Sequence, residues 1–161
     1  MPLKDLLERR GLYIGEGKNH EDEPFRGHFL LAPILGGRGV DIRFTAEGKD
    51  GTLYHSERTL IAPLPDGTLG LFCLTTNTTG LLQHREVACE APEGSARSLC
   101  FQHGELEDRA IFREQVTLDL FENGDIGYRF AWGLPEGDFA PRSAARLIRQ
   151  RGPQPRSPSS P

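Results

Sequence analysis

"FREQVTLDLFENGDIGYRFAW", residues 112–132, is two alternating runs folded about a turn. In the first run Phe112, Val116, Leu118 and Leu120 share one side, interrupted by Glu114; in the second, Ile126, Tyr128, Phe130 and Trp132 do. A period of two is the mark of a strand with one buried face. Between the runs, "ENGD" at 122–125 offers Asn and Gly, which reach positive φ at little cost. The stretch therefore reads as a β-hairpin with a wet side and a dry side.

The same punctuation extends over most of the chain. Short apolar or alternating runs near 12–19, 25–33, 39–47, 52–62, 67–75, 80–89, 96–103, 110–120, 125–133 and 140–149 read as strands, and Val40, Ile42 and Phe44 repeat the alternation clearly. The links are turn-like: "GKDG" at 48–51, "PDG" at 65–67, "NTTG" at 77–80 and "PEG" at 92–94. Ten strands joined mostly by tight hairpins favour an up-and-down meander. An open meander of that length leaves two unpaired edges, and closure removes them. The expected fold is all-β, a single closed or nearly closed antiparallel barrel of about ten strands spanning residues 1–150. A barrel of eight or more strands has room for one small ligand.

Two segments depart from the β pattern. "LKDLLERR", residues 3–10, sets Leu3, Leu6 and Leu7 at helical spacing ahead of Gly11, so a short amphipathic helix is expected there as a lid or plug. The tail from Arg151 to Pro161 is rich in Pro and Ser and holds no aliphatic residue, so it is expected to stay disordered.

Composition narrows the function classes. The chain has 161 residues and a formal net charge of -4, which gives nucleic acid and anionic membrane no electrostatic attraction. No run approaches the roughly 20 apolar residues of a membrane span. "MPLKDLLERRG" carries charge where a signal peptide would be apolar, so a cytoplasmic location is expected. Cys73, Cys89 and Cys100 form no C-x-x-C pair and read as reduced, strand-borne hydrophobes.

"GTLYHSERTLIAP", residues 51–63, is less clean, and the candidate chemistry starts there. As a strand it places Leu53, His55, Glu57, Thr59 and Ile61 on one face and Tyr54, Ser56, Arg58 and Leu60 on the other. Neither face is purely apolar, which suits a strand lining a polar cavity. His55 and Glu57 share a face, as do His84 and Glu86, and an imidazole beside a carboxylate on an inward face handles a proton or orients a ligand. His103 shares a face with Leu99 and Phe101. The glycines of "YIGEGKNH" and "LGGRG" lack the third glycine and the helix of a dinucleotide site, and read as close packing in a curved sheet. Neither G-x-S-x-G nor a cysteine in an electropositive setting is present, which disfavours hydrolase chemistry. No metal site is expected.

Taken together, the short N-terminal helix, Tyr13-x-Gly15-x-Gly17, "LYHSE" after a Gly turn, "LDLFENGDIGYRFAW" and a closing strand ending "ARLIR" resemble the calycin barrels, within them the nitrobindin-type, fatty-acid-binding-protein-like group. The resemblance covers about residues 3–150. It implies a lipocalin-like barrel around a small molecule. Haem-binding members carry a ligating histidine on the last strand in a pattern like H-L-x-A-T-L-x-R. The matching stretch here is "RSAARLIR", residues 142–149, where Arg142 stands at the histidine position, and a guanidinium does not ligate haem. An inward arginine can instead hold a carboxylate or phosphate.

The expected function is therefore non-enzymatic binding of an amphipathic, anionic small molecule without a cofactor. Phe112, Tyr128, Phe130 and Trp132 would form the apolar wall, with Arg142, His55, Glu57 and Glu114 as polar groups, and Glu57 or Glu114 paired with an inward Arg or His. Two alternatives remain: a haem-binding or enzymatic barrel that uses His84 or His103, and a filled barrel that acts by homodimerisation through an outer face.

Overall fold

A computed structural model describes residues 2–152. One short helix, α1 (Pro2–Glu8), precedes ten strands: β1 (Gly11–Lys18), β2 (Pro24–Ile34), β3 (Gly39–Glu47), β4 (Leu53–Pro63), β5 (Leu69–Thr75), β6 (Leu82–Val87), β7 (Ser95–His103), β8 (Arg113–Phe121), β9 (Ile126–Gly133) and β10 (Ala140–Arg149). Each pairs antiparallel with its sequence neighbours, and β1 also pairs with β10, which closes the barrel. The expectation for residues 153–161 lies outside the described residues. No described helix is long and apolar enough to cross a membrane.

The β1–β10 seam explains the glycines of the first strand. A Cβ on Gly15 would sit 1.8 Å from the Arg146 carbonyl oxygen, and one on Gly17 would sit 2.4 Å from that of Ala144. The two backbones therefore cross too closely for any side chain.

The helix plugs one end of the barrel. Leu3 and Leu6 are buried, and Leu7 packs against the core beside Gly37 in the β2–β3 turn. Three polar ties hold α1 in place: Asp5 with Arg97 at 2.5 Å, Arg9 Nη1 donating to the Phe121 carbonyl at 2.8 Å, and the Tyr13 hydroxyl donating to the Arg9 carbonyl at 2.7 Å. Above this plug the interior is filled by side chains such as Val40, Ile42, Ile61, Leu71, Val116 and Leu118. The alternation seen in the sequence supplies this core, because every second residue of these strands points inward.

Cys73 and Cys100 are strand-borne and buried as expected. Cys89 is not; it follows the end of β6 and is exposed, because the expected strand 80–89 spans only Leu82–Val87.

Candidate functional site

The end opposite α1 is open. There a cavity of about 320 Å³ lies among the upper ends of β2, β3, β4, β5, β8, β9 and β10 and the loops at 19–20 and 77–78. Its apolar wall is mostly aromatic: Phe25, Phe44, Phe112, Phe130 and Trp132. A second hollow, of about 430 Å³, lies outside the barrel against β1 and β2, lined by charged groups such as Glu16, Arg26 and Lys49. The barrel cavity sets an aromatic wall against polar side chains such as His55, Asn77 and Glu114, a mixture that suits a small amphipathic molecule; the outer hollow is lined mainly by charged and polar groups.

Strand β4 brings the first polar group. His55, Glu57, Thr59 and Ile61 all face inward, so the mixed face of residues 51–63 lines the upper barrel. Glu57 lies beneath the cavity. Its carboxylate accepts from His55 Nε2 at 2.8 Å, from the Thr59 hydroxyl at 3.1 Å and from the Tyr128 hydroxyl. On the other side of the His55 ring, Asn77 Nδ2 lies 3.2 Å from Nδ1, and Asn77 Oδ1 accepts from the Thr76 hydroxyl. That orientation makes Asn77 the donor and leaves the His55 proton on Nε2, pointing at Glu57. Burial, and next the charge of Glu57, raise the Tyr128 phenol well above its ordinary value. The phenol therefore remains a donor. Thr59 Oγ1 also lies 3.2 Å from Cys73 Sγ. The Cys73 thiol is pushed up by burial and then by the nearby charge of Glu57.

The second polar group is drawn from three strands. His84 on β6, His103 on β7 and Glu114 on β8 follow one another across the sheet: Glu114 partners His103, which is one residue beyond the Arg85–Gln102 pair. His84 is fully buried, and its Nε2 lies 2.8 Å from Glu114 Oε1. This corrects the expected pairing of His84 with Glu86. The Glu86 carboxylate instead accepts the backbone N–H of Leu69, because it sits further down the barrel. His84 Nδ1 has no partner among the described residues. His103 is half-buried, with Nδ1 donating to the Gln83 carbonyl at 2.8 Å and its ring 5.5 Å from that of His84. Nε2 is therefore the ring nitrogen through which His84 is tied to Glu114.

Arg142 sits at the rim. A bulge between Pro141 and Ser143 turns it toward Trp132, where its guanidinium carbon lies 4.6 Å from the ring centroid. Nε donates to the Trp132 carbonyl at 3.0 Å and Nη2 to the Asp138 carbonyl at 2.7 Å. Arg142 lines the cavity, but it ties the mouth together rather than projecting down the barrel.

The residues expected from the sequence thus fall into three groups. His55, Phe112, Glu114, Phe130, Trp132 and Arg142 line the cavity; Glu57 and Tyr128 form the hydrogen-bonded layer under it; His84 and His103 stand behind Glu114. Sequence reasoning did not pick out Phe25, Tyr54 and Asn77 as site residues. Phe44 belonged to a recognised alternation, whereas Asn77 was legible only as part of a turn.

No family model matches the chain, and no curated protein matches it. Among solved structures it is similar to the crystal structure of Rv2717c from M. tuberculosis, at 15% identity over 94% of this chain and 99% of that chain, with a TM-score of 0.61. A de novo designed fluorescence-activating β-barrel aligns over 91% of this chain and 98% of its own at 14% identity and a TM-score of 0.48. The likeness to Rv2717c shows the shared fold.

Proposed function

We propose that the barrel binds one small amphipathic molecule through its open end, without chemistry, as a calycin-like carrier of the nitrobindin or fatty-acid-binding-protein type. One observation carries the reading: a plugged, filled lower half beneath an aromatic-walled cavity of about 320 Å³ that opens at the other end. A protein that needed only a stable barrel would gain by filling that space, since voids forfeit packing energy. In this account Phe25, Phe44, Phe112, Phe130 and Trp132 cover the ligand's apolar part. His55 and Glu114 meet its polar part, and Tyr128 and Glu57 hold His55 in place. Haem ligation at the family's last-strand position does not fit, because Arg142 is there and is tied to two carbonyls, and both nitrogens of His55 are engaged.

The test is titration with the neutral fluorophore N-phenyl-1-naphthylamine. The expected result is brightening with the native chain and its loss in Ala46→Phe, which sends a ring into the cavity from β3. Overpacking of this kind costs about 1–3 kcal/mol, so a thermal melt checks that the variant is folded. No brightening in either protein, with a dimer in solution, moves the filled-barrel reading ahead. A Soret band on haem titration, lost on changing His84 or His103, carries the haem reading instead.

A further inference from the structure

Glu114 is the one carboxylate among the described residues lining the cavity, and its two oxygens differ. Oε1 accepts from His84, whereas Oε2 takes no hydrogen bond from any described residue and is not sealed off, so it is open to the cavity that Glu114 lines. The residue is only 5% exposed, so what Oε2 meets is the content of the cavity rather than open solvent. A half-satisfied carboxylate in such a place is costly unless something completes it. Glu57 shows the contrast: three donors satisfy it beneath the same cavity.

The mouth carries the same sign. The loops at the open end, residues 19–23, 48–52, 76–81, 104–112 and 134–139, hold nine Asp and Glu residues against Lys49 and Arg109. Those at the plugged end, 9–10, 35–38, 64–68, 88–94 and 122–125, hold five against Arg9, Arg10 and Arg38. A cleft rimmed by one sign of charge concentrates ligands of the other and repels its own. Arg142, the sole Lys or Arg of the described lining, has Nε and Nη2 committed to rim carbonyls. An anionic head group would find only Nη1 of Arg142 uncommitted among the described bonds, and it would meet an acidic mouth and the open oxygen of Glu114.

We infer that the cavity selects a cationic amphiphile, an amine whose ammonium group pairs with Glu114 Oε2 while its apolar part lies among the aromatic rings. Phe112, just before β8, and Phe130, on the neighbouring β9, share the cavity lining with Glu114 on β8. Aromatic faces attract cations, and a compact ammonium offers up to three donors for the open oxygen. This inference rests on the reading of the barrel as a small-molecule carrier and names the ligand class that reading leaves open.

The test is calorimetric titration at pH 7 with octylammonium, 1-octanol and octanoate, which share a chain and differ in head group. Octylammonium is expected to bind roughly tenfold or more tightly than octanoate, and Glu114→Gln to lower the octylammonium affinity and narrow that preference to about threefold or less. Octanoate binding as tightly as octylammonium, or an unchanged octylammonium affinity in the folded variant, overturns the inference and leaves the carrier reading standing. If none of the three binds while the fluorophore still brightens, this inference falls alone; if the fluorophore fails as well, the carrier reading falls with it. Should Glu114→Gln fail to fold, the ranking of the three probes on the native chain decides alone.

Discussion

At the residue scale, Tyr128 shows how one side chain serves packing and electrostatics together. Its ring meets Phe29 and Phe44 edge-on at 5.1 Å, and its hydroxyl donates to Glu57. Tyr128→Phe keeps the ring and removes the donor, at an expected cost of about 1–3 kcal/mol at pH 7. The pH dependence has a definite sign. The folded phenol is raised above its ordinary value, so its stabilising contribution is fully present below about pH 10 and is lost as pH rises through the folded value. Urea unfolding should therefore show a shallower alkaline decline in Tyr128→Phe than in the native chain; equal declines would contradict this role. The pairing of His55 with Glu57 was legible in the sequence, because two residues two apart on a strand share a face. The pairing of His84 with Glu114 was not. It spans β6 to β8 across the β7 strand between them, and such contacts depend on register and barrel curvature, which local patterns do not carry.

At the scale of elements, the alternating runs located all ten strands, because a half-buried strand must repeat every second residue. The ends were less legible where composition stayed polar: β6 is shorter than expected, which left Cys89 outside it. The Gly15 position tests the closing seam. Gly15→Ala forces a methyl group against the Arg146 carbonyl, so β1 must part locally from β10, and a loss of stability of several kcal/mol is expected, beyond the usual overpacking range of about 1–3 kcal/mol. Hydrogen exchange should report it first in β1 and β10; unchanged protection there would refute the close crossing. The plug is a separate element. Leu6 is wholly buried, so Leu6→Ala should cost about 2–5 kcal/mol in chemical unfolding while leaving fluorophore binding at the far end intact. Loss of binding in the folded variant would mean that the two ends are coupled.

At the scale of the whole molecule, the plug and the core fill one half of the barrel and leave a cavity of about 320 Å³ in the other. Strand count and turn lengths made the barrel legible, and the mixed face of residues 51–63 made a polar cavity legible. The sense of Arg142 was not legible, because a bulge at Pro141–Ser143 turns it to the rim, and a bulge breaks the alternation on which facing arguments rest. Charge distribution became visible only once topology had gathered five separated loops at one end. The most direct measurement is native mass spectrometry of the protein isolated from its own host, with gentle activation to release whatever the barrel carries. The account predicts a single small mass that leaves on activation and is absent from Ala46→Phe. A native chain that arrives empty, and stays empty when offered the octyl series and the fluorophore, would contradict it.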